Sequence, residues 1–197
     1  MVDLFQDDNV HGIIQVDASN AFNRINRKVM LKNLGVICPE LAIYGKNCYG
    51  SPARLFVIGG VEIKSSEGTT QGCPYSMPAY ALAILPLMSI INSYHNSTTV
   101  KQSAFADDIC GAGKLLSLKS WWDMVNYYGP HLGYYAESTK SWLIVKQEFY
   151  SDAQKIFEGT GINISVEGRK HLGAVIGSQD FKEKLFTFGK PRGCVVF

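Results

Sequence analysis

Three aspartates carry the first chemical argument in this sequence. Asp17 follows an apolar, β-branched run, and Asp107 and Asp108 stand together much further along the chain. An aspartate after a strand is usually a cap, and an Asp-Asp pair usually marks a solvated turn; Asp7-Asp8 reads that way. The flanks of the later pair set it apart. Ser103-Ala104-Phe105-Ala106 precede it and Ile109-Cys110-Gly111-Ala112-Gly113 follow, nearly all of them small or apolar. Two carboxylates inside an otherwise buried hairpin are costly unless a cation compensates them. Cysteine and histidine offer no comparable group. Cys38, Cys48, Cys73, Cys110 and Cys194 are scattered without a Cys-x-x-Cys pair, which argues against structural zinc and a disulfide framework.

The elements that must position these carboxylates can be read from periodicity and turn residues. His11 to Val16 is a short buried strand. Ser19 and Asn20 are N-cap candidates for a helix with Phe22, Ile25, Val29, Met30 and Leu34 on its apolar stripe, Gly35 as its stop, and Arg24, Arg27, Lys28 and Lys32 on its other side. Pro39 to Tyr49 is a second helix, closed by Gly50. Arg54 to Ile58 and Val61 to Lys64 form a hairpin about Gly59-Gly60. A polar loop, Gly68 to Pro74, leads to a helix capped by Ser76 that runs to about Asn92, with Pro86 as a kink. Ser103 to Gly113 is a hairpin bent at Asp107-Asp108. Leu115 to Tyr128 is a helix ending before Gly129-Pro130, with Trp121-Trp122 as core. Ser141 to Lys146 is a strand, Ser151 to Glu158 a helix, and His171 to Ile176 the last strand region. The order predicts an α+β layer in which antiparallel pairing dominates.

Bulk composition describes a globular domain. With 46% hydrophobic residues the chain is too apolar for a disordered tail, and a net charge of +2 neither demands nor excludes a polyanionic partner. No basic-then-apolar signal opens the chain, because Asp3, Asp7 and Asp8 occupy that region. The longest apolar run, Ala79 to Ile91, is shorter than a bilayer span. These features predict an intracellular address, nucleus or cytoplasm, with no secretion and no membrane partner; they leave the oligomeric state open.

Asp17-Ala18-Ser19-Asn20-Ala21-Phe22, Gln71-Gly72-Cys73-Pro74-Tyr75-Ser76 and Phe105-Ala106-Asp107-Asp108 resemble three successive motifs of a reverse transcriptase palm, in the same order. Gly133 to Lys140 resembles a fourth, and His171-Leu172-Gly173 resembles the primer-grip hairpin. The resemblance runs from about Gly12 to Gly177, and Phe-Ala-Asp-Asp points to the non-LTR retrotransposon and group II intron branch. The fold it implies is a polymerase palm, an antiparallel sheet backed by helices with fingers and thumb largely missing. Residues 1–197 would form one partial palm domain with 178–197 as a poorly defined tail, and the isolated fragment is expected to be weak or inactive.

The activity implied is RNA-directed DNA synthesis, a nucleotidyl transfer from dNTPs onto a primer 3′-hydroxyl on an RNA or DNA template. Phosphoryl transfer of this kind uses two Mg²⁺ ions, for which Mn²⁺ can substitute. Mg²⁺ prefers one or two carboxylates plus substrate phosphates, so three aspartates form an economical cage. By the resemblance, Asp17 and Asp107 bridge the metals and Asp108 assists. Lys140 is the proton donor to pyrophosphate, and Phe22 lies under the sugar and excludes a ribose 2′-hydroxyl. Gln71 and Gly72 meet the base pair and incoming nucleotide, and His171, Leu172 and Gly173 grip the primer. Arg24, Lys28, Lys46, Arg54, Lys64, Arg169 and Lys170, with Tyr134, Tyr135 and Trp142 among them, are candidate contacts to the nucleic-acid backbone. The chain departs from the pattern at Glu137, at Met77 with a displaced Pro78, and at Asn20 and Asn23. Two other readings stay open: another palm-type nucleotidyltransferase, and a non-catalytic remnant that at most binds nucleic acid.

Overall fold

The computed structural model describes residues 7–171, 174–178 and 181, with the side chains at 96–98, 171 and 174 outside that description. At its centre lies β1, Gly12–Val16, buried along its whole length. Strands β4 (Val100–Phe105) and β5 (Asp108–Gly113) form a hairpin on one side of it. On the other side stand β6 (Trp142–Val145) and β7 (Asn163–Ser165), giving the order β4-β5-β1-β6-β7. All pairings in this sheet are antiparallel except β6 with β7. The chain is thus mixed α and β with antiparallel pairing dominant.

Alternation along the strands sends successive side chains to opposite faces. One face presents Ile14, Val16, Ile109, Leu143 and Val145 to the helices α4 (Ser76–Thr99) and α5 (Leu115–Leu132), whose Ala83, Leu87, Ile91, Leu118, Trp121 and Val125 complete the main core. Burying each large aliphatic side chain there is worth roughly 1.5–3 kcal/mol. Gly111 makes room for Trp121, whose ring carbon would stand 3.2 Å from a Cβ at that position. Trp121 Nε1 then donates to Gln102 Oε1 at 3.0 Å, satisfying its polar atom. The other face carries Ile13, Ala112 and Ile144, packed with Val10 and with Ile176 of a small hairpin formed by β8 (Gly168–His171) and β9 (Ala174–Gly177).

The first helix expected from the sequence is two helices. Helix α1 (Ala21–Arg24) stops at Ile25, and α2 (Arg27–Ile37) starts afresh after Asn26. The reason is local competition: Asn26 Oδ1 accepts from Lys28 N at 3.0 Å and Val29 N at 3.2 Å, a cap that a continuous helix would forbid. Gly35 does not stop α2. Pro39, the first residue of α3 (Pro39–Tyr49), forces Cys38 out of helical conformation, so α2 ends at Ile37. Helix α5 likewise runs through Gly129-Pro130 and closes at Gly133, whose φ of 84° lets the turn reverse.

Ser76 begins α4 without capping it; its hydroxyl donates to Thr70 O at 2.6 Å and closes the preceding loop. Helix α4 also reaches Thr99, beyond the expected end. Its Ser76–His95 stretch is long and apolar enough to cross a membrane by length and composition, more than the run read from the sequence. Ala79, Tyr80, Ala83, Leu87 and Ile91 are nevertheless buried against the sheet and neighbouring helices, the packing of a core helix. Strands β2 (Ala53–Val57) and β3 (Val61–Ser65) form the expected glycine-turn hairpin, which is exposed on both faces. Helix α6 (Tyr150–Ile156) leads from β6 toward β7.

Candidate active site

The site begins where β1 leaves the sheet. The last ladder pair between β1 and β5 is Val16 with Ile109, so the next residues, Asp17 and Asp108, fall beside each other at the same sheet end and on the same face. Both are half-buried. They line one cavity of about 190 Å³ together with Gln15, Lys140, Trp142, Arg169 and Lys170. Asp107 occupies the turn of the β4–β5 hairpin and lines a neighbouring cavity of about 570 Å³ with Phe22, Gln71, Gly72, Cys73, Ser76 and Met77. Sequence-distant residues are thereby gathered in two groups, one around Asp17 and Asp108, one around Asp107.

Backbone bonds hold Asp17 in place. Its N–H donates to Ser141 Oγ at 3.2 Å, and its carbonyl accepts from Glu137 N at 2.8 Å. Ser141 is fully buried and donates in turn to Glu137 O at 2.8 Å. The segment carrying Lys140 is therefore stitched to the end of β1, which puts an exposed ammonium on the edge of the carboxylate cavity. At the hairpin turn, Ala106 adopts a left-handed φ of 53°, a conformation that costs a non-glycine residue about 1–2 kcal/mol and keeps the two-residue turn tight. Tyr134 Oη donates to the Asp107 carbonyl at 3.0 Å from below.

Two buried phenols thus stand under the aspartates. Tyr80 is fully buried, and burial, then the charges of Asp107 and Asp108, push its ionisation well above the usual range. Burial raises Tyr134 in the same direction, followed by Tyr80 and the two aspartates. Tyr134 was expected to face nucleic acid; the turn at Gly133 sends it inward instead. The ring of Tyr80 lies against Phe22, centroids 4.8 Å apart, so the half-buried Phe22 serves both the cavity and the core.

The loop bearing Gln71 and Gly72 is tied to the first helix. Thr69 N donates to Phe22 O at 2.6 Å and Gly68 N to Ile25 O at 2.9 Å. Gly72 has a φ of 82° that favours glycine, and, its chain neighbours aside, no atom of the described residues lies within 4 Å of where a Cβ would stand. Arg27, expected on an exposed helix face, is buried. Its guanidinium donates to Gly68 O at 2.6 Å, Ser65 O at 2.6 Å and Ser65 Oγ at 3.0 Å, carbonyls and a hydroxyl at the base of this loop.

Among the proposed backbone contacts, Arg24 lies over the Tyr135 ring at 3.6 Å and Arg169 over the Trp142 ring at 4.0 Å. Arg54 is engaged by Glu62 through two bonds of 2.9 and 2.6 Å on the exposed hairpin, so its charge is locally compensated. His171 ends β8; its side chain, Leu172, Gly173 and most of 178–197 lie outside the described residues. Among the described residues, no three His, Cys, Asp or Glu side chains converge on one point. Two carboxylates bordering one cavity, as Asp17 and Asp108 do, nonetheless match what Mg²⁺ takes from a protein when substrate phosphates and water supply the rest.

No protein-family model matches the chain. Solved structures do. Telomerase from Candida tropicalis, solved with the TWJ fragment of telomeric RNA, superposes with a TM-score of 0.62 at 12% identity over 87% of this chain. Telomerase from Candida albicans, solved with the same kind of RNA fragment, superposes with a TM-score of 0.59 at 9% identity over 91%. The chain spans 29% and 32% of those two proteins. At such identities the likeness is one of backbone architecture: this chain has a fold similar to part of telomerase, a reverse-transcriptase-related enzyme.

Proposed function

We propose that this chain is the palm of a retroelement RNA-directed DNA polymerase, joining dNTPs to a primer 3′-hydroxyl under the direction of a template. The observation that carries this reading is the meeting of Asp17 with Asp108 at one sheet end, with Asp107 turned to the cavity of Phe22, Gln71 and Gly72. Asp17, Asp107 and Asp108 are the residues that would hold Mg²⁺ or Mn²⁺. When bound, such a pair of ions lowers the pKa of the attacking hydroxyl and neutralises the departing pyrophosphate.

The remaining residues bind and orient. Gln71 and the bare backbone at Gly72 form one wall of the nucleotide cavity, and Phe22 forms its floor, where a ribose 2′-hydroxyl would meet the ring. Lys140 lines the carboxylate cavity, which supports its reading as the donor of a proton to the leaving pyrophosphate. The β8–β9 hairpin covers the far part of the same sheet face, so Arg169 and Lys170 are available to backbone phosphates of the primer strand.

Primer extension by the full-length protein on an RNA template, with Mg²⁺ and dNTPs, tests the reading. Asp107→Asn should lower the extension rate by at least about 100-fold without unfolding the protein. Extension by Asp107→Asn at the wild-type rate would refute the assignment. Equal use of ribonucleotides, unchanged in Phe22→Ala, would assign the fold to another palm-type nucleotidyltransferase.

A further inference from the structure

Gln15 stands two residues before Asp17 on β1 and therefore faces the same side of the sheet. Its neighbours across the ladder are Cys110 on β5 and Trp142 on β6. The residue is only 9% exposed, and its Nε2 has no hydrogen-bond partner among the described residues. Burying an amide donor without an acceptor is unfavourable, and an apolar residue of the same shape would avoid that cost. Gln15 is among the residues that line the cavity of about 190 Å³, with Asp17, Asp108, Lys140, Trp142, Arg169 and Lys170. Carboxylates, cations and a neutral amide residue thus share one cavity, on the scale of a sugar.

We infer that Gln15 is a primer-positioning residue whose Nε2 donates to an uncharged acceptor on the 3′-terminal nucleotide of the primer. Seated on that amide, the strand end reaches Asp17 and Asp108 in a single register, while Arg169 and Lys170 take the neighbouring phosphates. A neutral donor suits this place because a cation there would pair with the carboxylates, and a further carboxylate would repel the strand. The inference rests on the polymerase reading and adds to it the group that sets the position of the primer end.

The test uses the full-length protein, a dideoxy-terminated DNA primer annealed to an RNA template, and Mg²⁺. Binding is followed by fluorescence anisotropy, and single-nucleotide extension is measured with an unblocked primer. Gln15→Met keeps the shape and removes the donor. It should weaken primer–template binding about three- to tenfold, the loss of one neutral hydrogen bond, and leave the KM for dNTP within about twofold and the melting temperature unchanged or higher. Wild-type affinity in folded Gln15→Met would overturn the inference and leave the polymerase reading standing. Absence of extension by the wild-type protein would instead overturn the polymerase reading, and the inference with it. Should Gln15→Met fail to fold, Gln15→Glu, which places an oxygen where the donor was, must weaken binding at least as much; unchanged affinity there overturns the inference equally.

Discussion

At the scale of single residues, the site depends on side chains that serve two masters. Phe22 lines the cavity that holds Asp107 and also packs at a tilt against Tyr80, so its ring is fixed by the core rather than left to swing. A fixed ring can exclude by clash, and a mobile one cannot. If the proposed activity holds, Phe22→Ala in the full-length protein should therefore lower discrimination against ribonucleotides by about tenfold or more, read from incorporation of matched dNTP and rNTP pairs. Unaltered discrimination would remove Phe22 from any role in sugar selection. The aspartates and Phe22 are legible in the sequence because their flanks are unusual over a few residues. Gln15, Ser141 and Arg27 are not. Each is an ordinary polar residue until the fold decides which unpaired carbonyls, amides and cavities surround it.

At the scale of elements, the break between α1 and α2 positions the loop that carries Gln71 and Gly72. It lets the backbone of Phe22 and Ile25 accept bonds from the loop that precedes Gln71, which no unbroken helix would offer. Asn26 holds the break by capping α2. Asn26→Ala should lower stability by about 1 kcal/mol, measured by urea denaturation, and should raise amide exchange in the loop from Gly68 to Ser76. Periodicity alone could not find this break, since Phe22, Ile25 and Val29 keep helical spacing across it. The hairpins were readable because Gly59-Gly60 and the Asp107-Asp108 pair are local turn signals, although the second turn is made by Ala106-Asp107 and Asp108, already in β5, pairs with Phe105. Helix α5 was readable in its middle but not at its end. Pro130 falls in the last turn, where Gly133 supplies the stop.

At the scale of the whole molecule, both faces of the sheet carry a buried cluster, the larger one packed by α4 and α5. Gly111→Val would press on Trp121 and the Val100 side chain, each only 3.2 Å from the added carbon. A loss of about 1–3 kcal/mol is expected, with the fold retained. Burial also gives the molecule an alkaline weakness. Cys110, next to the aspartates in β5, is raised from the usual thiol range to about 12, chiefly by burial and then by Asp108. Because the folded value is raised, the unfolded chain releases this proton first. The thiol's contribution is complete below about pH 9 and is lost as pH climbs toward 12, at up to about 1.4 kcal/mol per pH unit. Tyr80 and Tyr134, also raised, add to the decline above about pH 10. The denaturation midpoint should hold from about pH 8 to 9 and fall from about pH 9 to 11 for the wild type, and Cys110→Ala should delay the onset of that fall by about one pH unit.

By itself the sequence determined the first strand, the strand at Trp142–Val145, the Gly59-Gly60 turn, the Pro39–Tyr49 helix and which three aspartates were worth attention, since each rests on residues a few positions apart; it did not show β7 or the start of β8. Only the tertiary structure decided that Asp17 stands beside Asp108, that Arg27 is buried, and that Gln15 opens on the same cavity. The physical reason is that strand register follows from which face of the sheet can be buried, a property of the whole core. A polar side chain, likewise, takes its role from donors and acceptors that distant segments leave unpaired.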